Sequence, residues 1–215
     1  MPSRSEMVVI PFDPGRGAHR TGAGAPPHGE GQELEPEILA ALDRGDRDRA
    51  LDLLMRAYGQ SLYRYCRQML PGQDLADEVH QMTFVQAYEG LGRFARRSSL
   101  RTWLFGIAHH RCLDILKITR RRERRFELRA ELPEQSVPGE NVEERLTALS
   151  RVRDLARCLR ELAPRVRDAV LLRYQQGITY DEMARLSGER SATLQARVAR
   201  SLPVLRRCLE RKGEA

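Results

Sequence analysis

The side chains best suited to chemistry crowd between Asp74 and Arg125, and the chemistry they suit is recognition. The segment DLADEVHQMTFVQAYEGL carries Asp74, Asp77, Glu78 and Glu89 and neither Lys nor Arg, whereas the run RRRERR sets Arg120, Arg121, Arg122, Arg124 and Arg125 against Glu123. The first stretch suits a protein partner and the second suits phosphate. Between them lie a loop with Arg93, Arg96 and Arg97 and a cluster of His109, His110 and Cys112. His109 and Cys112 stand three apart and can share one helix face. No second ligand pair accompanies them, and a bound metal normally takes three or four protein ligands. Neither a metal nor a cofactor is expected. There is no nucleotide-binding loop and no acid cluster in a segment that would face DNA, which makes a nucleic-acid-processing enzyme the weakest reading.

The elements that must position these groups read as helices. From Glu37, Ile38, Leu42, Leu51, Leu54, Tyr58, Leu62 and Tyr65 recur at helical spacing with a break at Gly45-Asp46. Pro71-Gly72 ends that unit and Asp74 is a plausible cap for the next helix. That helix has two apolar faces. Leu75, Val79 and Met82 lie on one, and Phe84, Ala87, Tyr88 and Leu91 lie roughly opposite, with Asp77, Glu78, Gln81 and Glu89 in a strip beside them. A helix docked on one core needs only one such face, so the second is either central to its own bundle or offered to another protein. Ser99 then caps a helix carrying Leu100, Trp103, Leu104, Ile107, Leu113 and Leu116, whose periodicity weakens beyond Ile118.

In the C-terminal part, LSRVRDLARCLREL is followed by a helix that Pro164 opens and Gly177 closes. Thr179 and Glu182 form a capping box for a short helix ended by Gly188, and Ser191 can cap the next. Short helix, Gly-containing turn and second helix make a helix-turn-helix. Leu194, Val198 and Leu205 face inward; Thr193, Arg197 and Arg200 face outward.

The chain of 215 residues is 41% hydrophobic with formal charge +7, which supports folded cores and an anionic partner. Lys occurs only at Lys117 and Lys212, so the positive charge is almost all Arg, whose planar fork matches phosphate and guanine edges. The expected fold is all-α, with two small helical domains joined by a flexible acidic linker. Residues 1–35, rich in Gly, Pro and Ala, are expected to be a disordered tail, 36–119 the first domain, 120–147 the linker and 148–212 the helix-turn-helix domain. Such a linker spans roughly 30 Å as a coil and reaches about 90 Å when stretched, against ~34 Å for one turn of DNA. Cys66, Cys112, Cys158 and Cys208 are scattered, without a CxxC pair, and read as small buried hydrophobes of a reducing compartment. No apolar run approaches the ~20 residues that span a bilayer, so no membrane insertion is expected and the cytoplasm is the expected location.

Both halves resemble one family. ADEVHQMTFVQAY resembles the helix of sigma-70-type factors that docks on bacterial core RNA polymerase. SSLRTWLFGIAHHRCLDILK resembles the segment that melts and reads the promoter −10 element, and LRELAPRVRDAVLLRYQQGITYDEMARLSG with SATLQARVARS resembles the −35-reading domain. With only these two domains the chain resembles the extracytoplasmic-function (ECF) group, over roughly residues 37–211. The resemblance implies that Asp77, Glu78, Val79, Gln81, Met82 and Phe84 contact core polymerase. It implies that the loop from Phe94 to Arg101, with Arg96, Arg97, Ser98 and Ser99, captures an unstacked base. Trp103, Ile107, His110 and Arg111 would border the opened duplex, and Arg96, Arg97, Arg101 and Arg111 would supply phosphate contacts. Ser191, Thr193, Gln195, Arg197 and Arg200 match the −35 readers. An anti-sigma protein is a further implied partner.

The chain departs from the family's usual pattern at His80, Met82, His110, Gln195-Ala196 and Pro203. Pro203 is expected to interrupt the last helix, since proline inside a helix costs ~3 kcal/mol. The rival readings are a stand-alone helix-turn-helix regulator, which leaves the Asp77–Phe84 surface unexplained, and a Cys/His metal or redox sensor.

Overall fold

The structure, a computed structural model, describes residues 31–126 and 143–213. The described elements are helical. In the first domain, a short turn at Gln32–Leu34 leads into α1 (Glu35–Asp43), α2 (Arg47–Met69), α3 (Gln73–Leu91) and α4 (Leu100–Phe126); the second holds α5 (Glu143–Glu161), α6 (Pro164–Val170), α7 (Tyr180–Ser187) and α8 (Ser191–Gly213). The all-α, two-domain expectation holds.

The chain turns from α1 into α2 because Gly45 takes a left-handed φ of 77° and Asp46 accepts from the Arg49 amide at 2.9 Å. Around α2 the first domain buries Ile38, Leu54, Tyr58, Leu62, Tyr65, Leu104 and Phe105. Side chains of that size contribute about 1.5–3 kcal/mol each on burial. Residues 1–30 of the expected tail lie outside the described residues. Its last residues belong to the fold, because Gly31 (φ 93°) lies so close to α2 that a Cβ there would meet the Ala57 carbonyl oxygen at 2.2 Å.

The expected linker is shorter than its sequence suggested. α4 runs on through the arginine run to Phe126, and α5 begins at Glu143, so 127–142 is the part outside the described residues. Arginine is a good helix former and RRRERR offers no breaker; the weakened apolar periodicity after Ile118 marks a helix leaving the core, not a helix ending.

In the second domain the α7 capping box forms as expected: the Thr179 side chain accepts from the Glu182 amide, and Glu182 accepts in return from the Thr179 amide at 2.9 Å. Gly188 (φ 70°) ends that helix. Ser191 is the first residue of α8 instead of its cap, and the Arg190 carbonyl accepts from Thr193 and Leu194. Pro203 does not interrupt α8, which continues to Gly213. Beyond Pro203 the helix is held by buried Leu205 and by a Cys158–Cys208 disulfide to α5. The reading of four separate thiols is therefore wrong for that pair. Cys66 and Cys112 are free and buried, and contact with Cys66 together with burial pushes the Cys112 thiol well up, leaving it unreactive.

The two domains share one continuous core cluster. α6 widens at its end into a π turn, Leu171–Gln175, which sets the Gln176 carbonyl toward α4.

Candidate nucleic-acid and partner interfaces

The acidic strip of α3 stands on the surface. Asp77, Glu78 and Gln81 are exposed, Met82 is half-buried, and Val85 is 43% exposed in the same strip. Val79 and Phe84, expected at a partner surface, are core residues of the first domain at 1% and 5% exposure. The two-sided apolar pattern therefore has a mixed cause: α3 packs on both α2 and α4, and what remains for a partner is polar with an apolar fringe. His80, where the sequence departs from the family, turns inward, its Nε2 lying 3.0 Å from the Gly59 carbonyl oxygen of α2.

The loop after α3 is built for strain and charge. Arg96 has φ 55°, a left-handed conformation that costs a non-glycine residue about 1–2 kcal/mol. Its guanidinium pairs with Asp43 at the end of α1, which holds the loop in that shape. Arg97 is exposed and Ser98 is half-buried. Ser99 caps α4, its Oγ accepting from the Thr102 amide at 3.0 Å. Phe94 and Trp103 meet with ring centroids 5.2 Å apart, and the indole lies over Gly90, where a Cβ would approach its Cζ2 within 2.9 Å. The result is a half-buried aromatic shelf in a loop region that also carries exposed Arg93 and Arg97, suited to stacking a base and holding its phosphate.

Along α4, Arg111 donates through Nε to Gln86 Oε1 at 2.7 Å, so it is braced on α3. The His110 imidazole stays largely neutral at pH 7, because partial burial first, and then neighbouring His109, lower its pKa. A neutral imidazole offers one donor and one acceptor, which suits a base edge better than a phosphate. Arg101, expected to reach phosphate, is buried: its Nη1 donates to the Gln176 carbonyl at 2.9 Å and its guanidinium carbon lies 5.4 Å from the centre of the Tyr58 ring. In this arrangement Arg101 is committed to the second domain. His109 and Cys112 do not share a site either. His109 Nδ1 lies 2.9 Å from Asp168 Oδ2, Cys112 faces Cys66, and among the described residues no group of three or more potential ligands converges on a metal position.

On α8, Thr193, Gln195 and Arg200 are exposed and Ser191 is half-buried; Arg200 Nε reaches the Ala196 carbonyl at 3.1 Å. Arg197 is not freely displayed. Both of its Nη atoms donate to the Glu189 carboxylate, the Nη1–Oε1 distance being 3.0 Å. Glu189 and Asp43 are thus residues that sequence reasoning missed, each holding an arginine offered for DNA. For Glu189 a signal existed, an acid in the turn just before the α8 arginines. Asp43 gave none, being 53 residues from its partner.

Comparison with known proteins accords with this division. A family model described as Sigma-70 region 2 matches residues 54–125, and one described as Sigma-70, region 4 matches 153–202. The chain is 32% identical over 157 residues to the ECF RNA polymerase sigma factor SigC of Mycobacterium tuberculosis, covering 73% of this chain and 82% of that one. It is 26% identical over 186 residues to the RNA polymerase sigma-H factor of Pseudomonas aeruginosa, covering 83% of this chain and 95% of the relative. Among solved structures, the fold is similar to the sigma factor RpoE of Bartonella quintana in complex with the anti-sigma factor NepR (TM-score 0.53, 19% identity, 83% of this chain and 98% of that one). It is also similar to CnrH in complex with the cytosolic domain of CnrY (TM-score 0.57, 23% identity, 82% of this chain and 97% of that one).

Proposed function

The chain belongs to the ECF group of sigma-70-family RNA polymerase sigma factors, and from that premise we infer how its residues divide the work of initiation. Core RNA polymerase docks on the α3 strip through Asp77, Glu78 and Gln81, with Met82 at its apolar edge. The loop from Phe94 to Ser99 and the shelf of Phe94 and Trp103 take an unstacked base at the −10 element. Arg96, Arg97 and Arg111 hold the strand and His110 reads an edge. Pulling a base from the duplex costs a few kcal/mol, which stacking and phosphate contacts must offset. In the second domain Thr193, Gln195, Arg197 and Arg200, with Ser191 at the helix start, read the −35 element. Val79 and Phe84 support the docking helix from beneath.

The observation that carries this reading is the separation of charge in the first domain: an exposed acidic strip on α3 and an arginine-bearing loop with an aromatic shelf at its end. A stand-alone regulator has no use for that strip. The factor works in the cytoplasm, and among the described residues no helix is long and apolar enough to cross a membrane. It adds no catalytic step of its own, since the polymerase it directs makes the bonds. An anti-sigma protein is a fitting regulator, because the two structural neighbours described above carry such a partner or a cytosolic partner domain. The test is core binding by Asp77→Lys and Glu78→Lys variants alongside run-off transcription: loss of both activities with an intact fold supports the assignment, and wild-type core affinity contradicts it.

A further inference from the structure

The arginine run at the end of α4 lies outside both of the surfaces assigned to DNA. Among the described side chains α4 fully buries none beyond Cys112, yet it stays helical to Phe126. Lys117, Ile118, Arg120, Arg121 and Arg122 are exposed, and among the described residues no ion pair holds Arg120, Arg121 or Arg122. The arginines nearer the reading sites are braced instead, Arg96 on Asp43, Arg111 on Gln86 and Arg197 on Glu189. In the run, Arg120 precedes Arg124 and Arg121 precedes Arg125 by one helical turn, and like charges at that spacing oppose an isolated helix. A segment that keeps its helix against its own charge is matched to a polyanion that neutralises it.

Helical register decides what the run touches. Lys117 and Arg121 follow His110 by two and three turns and return to within about 20° of it; Ile118 and Arg122 return in the same way to the face of Arg111. These are the two rows assigned to the −10 edge and its strand. At ~1.5 Å per residue, Arg121 and Arg122 stand about 16 Å farther along the axis, the height of about five base pairs of duplex. α4 starts at the loop assigned to the unstacked base, so progress along it leads from open strand to paired DNA. From its far end the chain continues to the domain assigned to −35. Lys117 is partly neutralised by Asp114 at 2.9 Å, which leaves Arg121 and Arg122 as the principal free charges of the two rows. Arg120 points elsewhere, about 200° round the helix from Arg122. It lies near the seam between the two domains, where burial first, and then the charges of Arg160 and Arg120, lower the pKa of Arg167 on α6.

We propose that the C-terminal turns of α4 form a phosphate-binding arm, in which Arg121 and Arg122 grip the backbone of double-stranded promoter DNA immediately upstream of the −10 element. The inference rests on the sigma-factor reading above and extends the contact into the spacer between the two elements. Because it is made to phosphate, it adds affinity and fixes the register of the helix on DNA without choosing bases.

The experiment uses the full chain assembled with core RNA polymerase and two fork-junction DNAs built on the promoter that run-off transcription maps. Both carry the −10 element with a single-stranded downstream end. The long fork keeps one turn of duplex upstream, ~10 base pairs, and the short fork ends its duplex at the upstream edge of the element. Arg121→Gln with Arg122→Gln keeps good helix formers in place, and far-UV circular dichroism checks the fold. This double variant is expected to bind the long fork at least ten-fold more weakly than wild type at ~0.1 M salt, with a log–log salt slope shallower by about two, at ~0.9 per phosphate. Its binding to the short fork and to core is expected to match wild type. Arg120→Gln, the single charge change on the other side of the helix, is expected to stay within two-fold of wild type on the long fork. Unchanged affinity for the long fork, equal losses on both forks, or a loss from Arg120→Gln as large as that of the double variant would each overturn the proposal. Weakened core binding by the double variant would also overturn it, assigning the run to the polymerase. If wild type binds no core and yields no transcript to map, the sigma-factor reading fails first.

Discussion

Arg197 and Glu189 form a forked ion pair at the start of α8, with one guanidinium Nη atom on each carboxylate oxygen. The pair is about one-fifth exposed, so its own contribution to stability is modest, on the order of 1 kcal/mol or less. Its larger effect is to hold Arg197 in one orientation. Glu189→Gln should loosen that hold and alter the preference among −35 variants. Arg197→Ala should remove discrimination at one −35 position by about 1–3 kcal/mol. Equal losses on every −35 variant would assign Arg197 to phosphate instead.

The same pair fixes a pH dependence. Hydrogen bonds from Arg197 hold the Glu189 carboxyl below its usual range. A carboxyl depressed on folding adds stability that is present above its unfolded pKa and lost as pH falls through the folded value. The pair's contribution is therefore constant from neutral pH down to the ordinary carboxylate range and disappears only below it. Comparing denaturation midpoints of wild type and Glu189→Gln between neutral pH and about pH 3 should show their difference shrink only at the acid end.

Trp103 is the single tryptophan of the chain and sits on the proposed base-stacking shelf, so its fluorescence reports that site alone. Gly90→Ala puts a methyl 2.9 Å from the indole Cζ2 and should push the ring off the shelf. The expected result is a shifted emission spectrum and impaired promoter opening with core binding retained. An unchanged spectrum would mean that the ring tolerates the methyl.

The Cys158–Cys208 bond closes a loop spanning a sequence separation of 50. Chain-entropy arguments give about 4 kcal/mol for a loop of that length. Cys158→Ser should therefore lower the denaturant midpoint clearly, and because the two domains share one core cluster the loss should be seen by probes in both. A midpoint indifferent to the substitution, and to reductant in wild type, would show that the bond is not formed in solution.

What the sequence disclosed was local. The α7 capping box, the Pro164 start, the Gly188 stop and the exposed Asp77, Glu78 and Gln81 are set by residues within a turn or two of each other, and the structure places them as expected. Periodicity placed two faces on α3 but could not tell core from partner, because Val79 and Phe84 look alike to either. The tail and linker limits erred where a helix carries polar residues, as at Arg120 to Phe126. Contacts across the seam were out of reach: Tyr65 meets Asp168 over 103 residues and Arg101 meets Gln176 over 75. The disulfide was missed for the same reason, since spacing alone does not show which helices will lie side by side.

Run-off transcription with purified core RNA polymerase, on DNA from upstream of the chain's own gene and with core binding followed in the same samples, tests the central claim most directly. A defined transcript that depends on this protein and disappears with Asp77→Lys and Glu78→Lys is the predicted result. Absence of both core binding and transcript with wild-type protein would contradict the account.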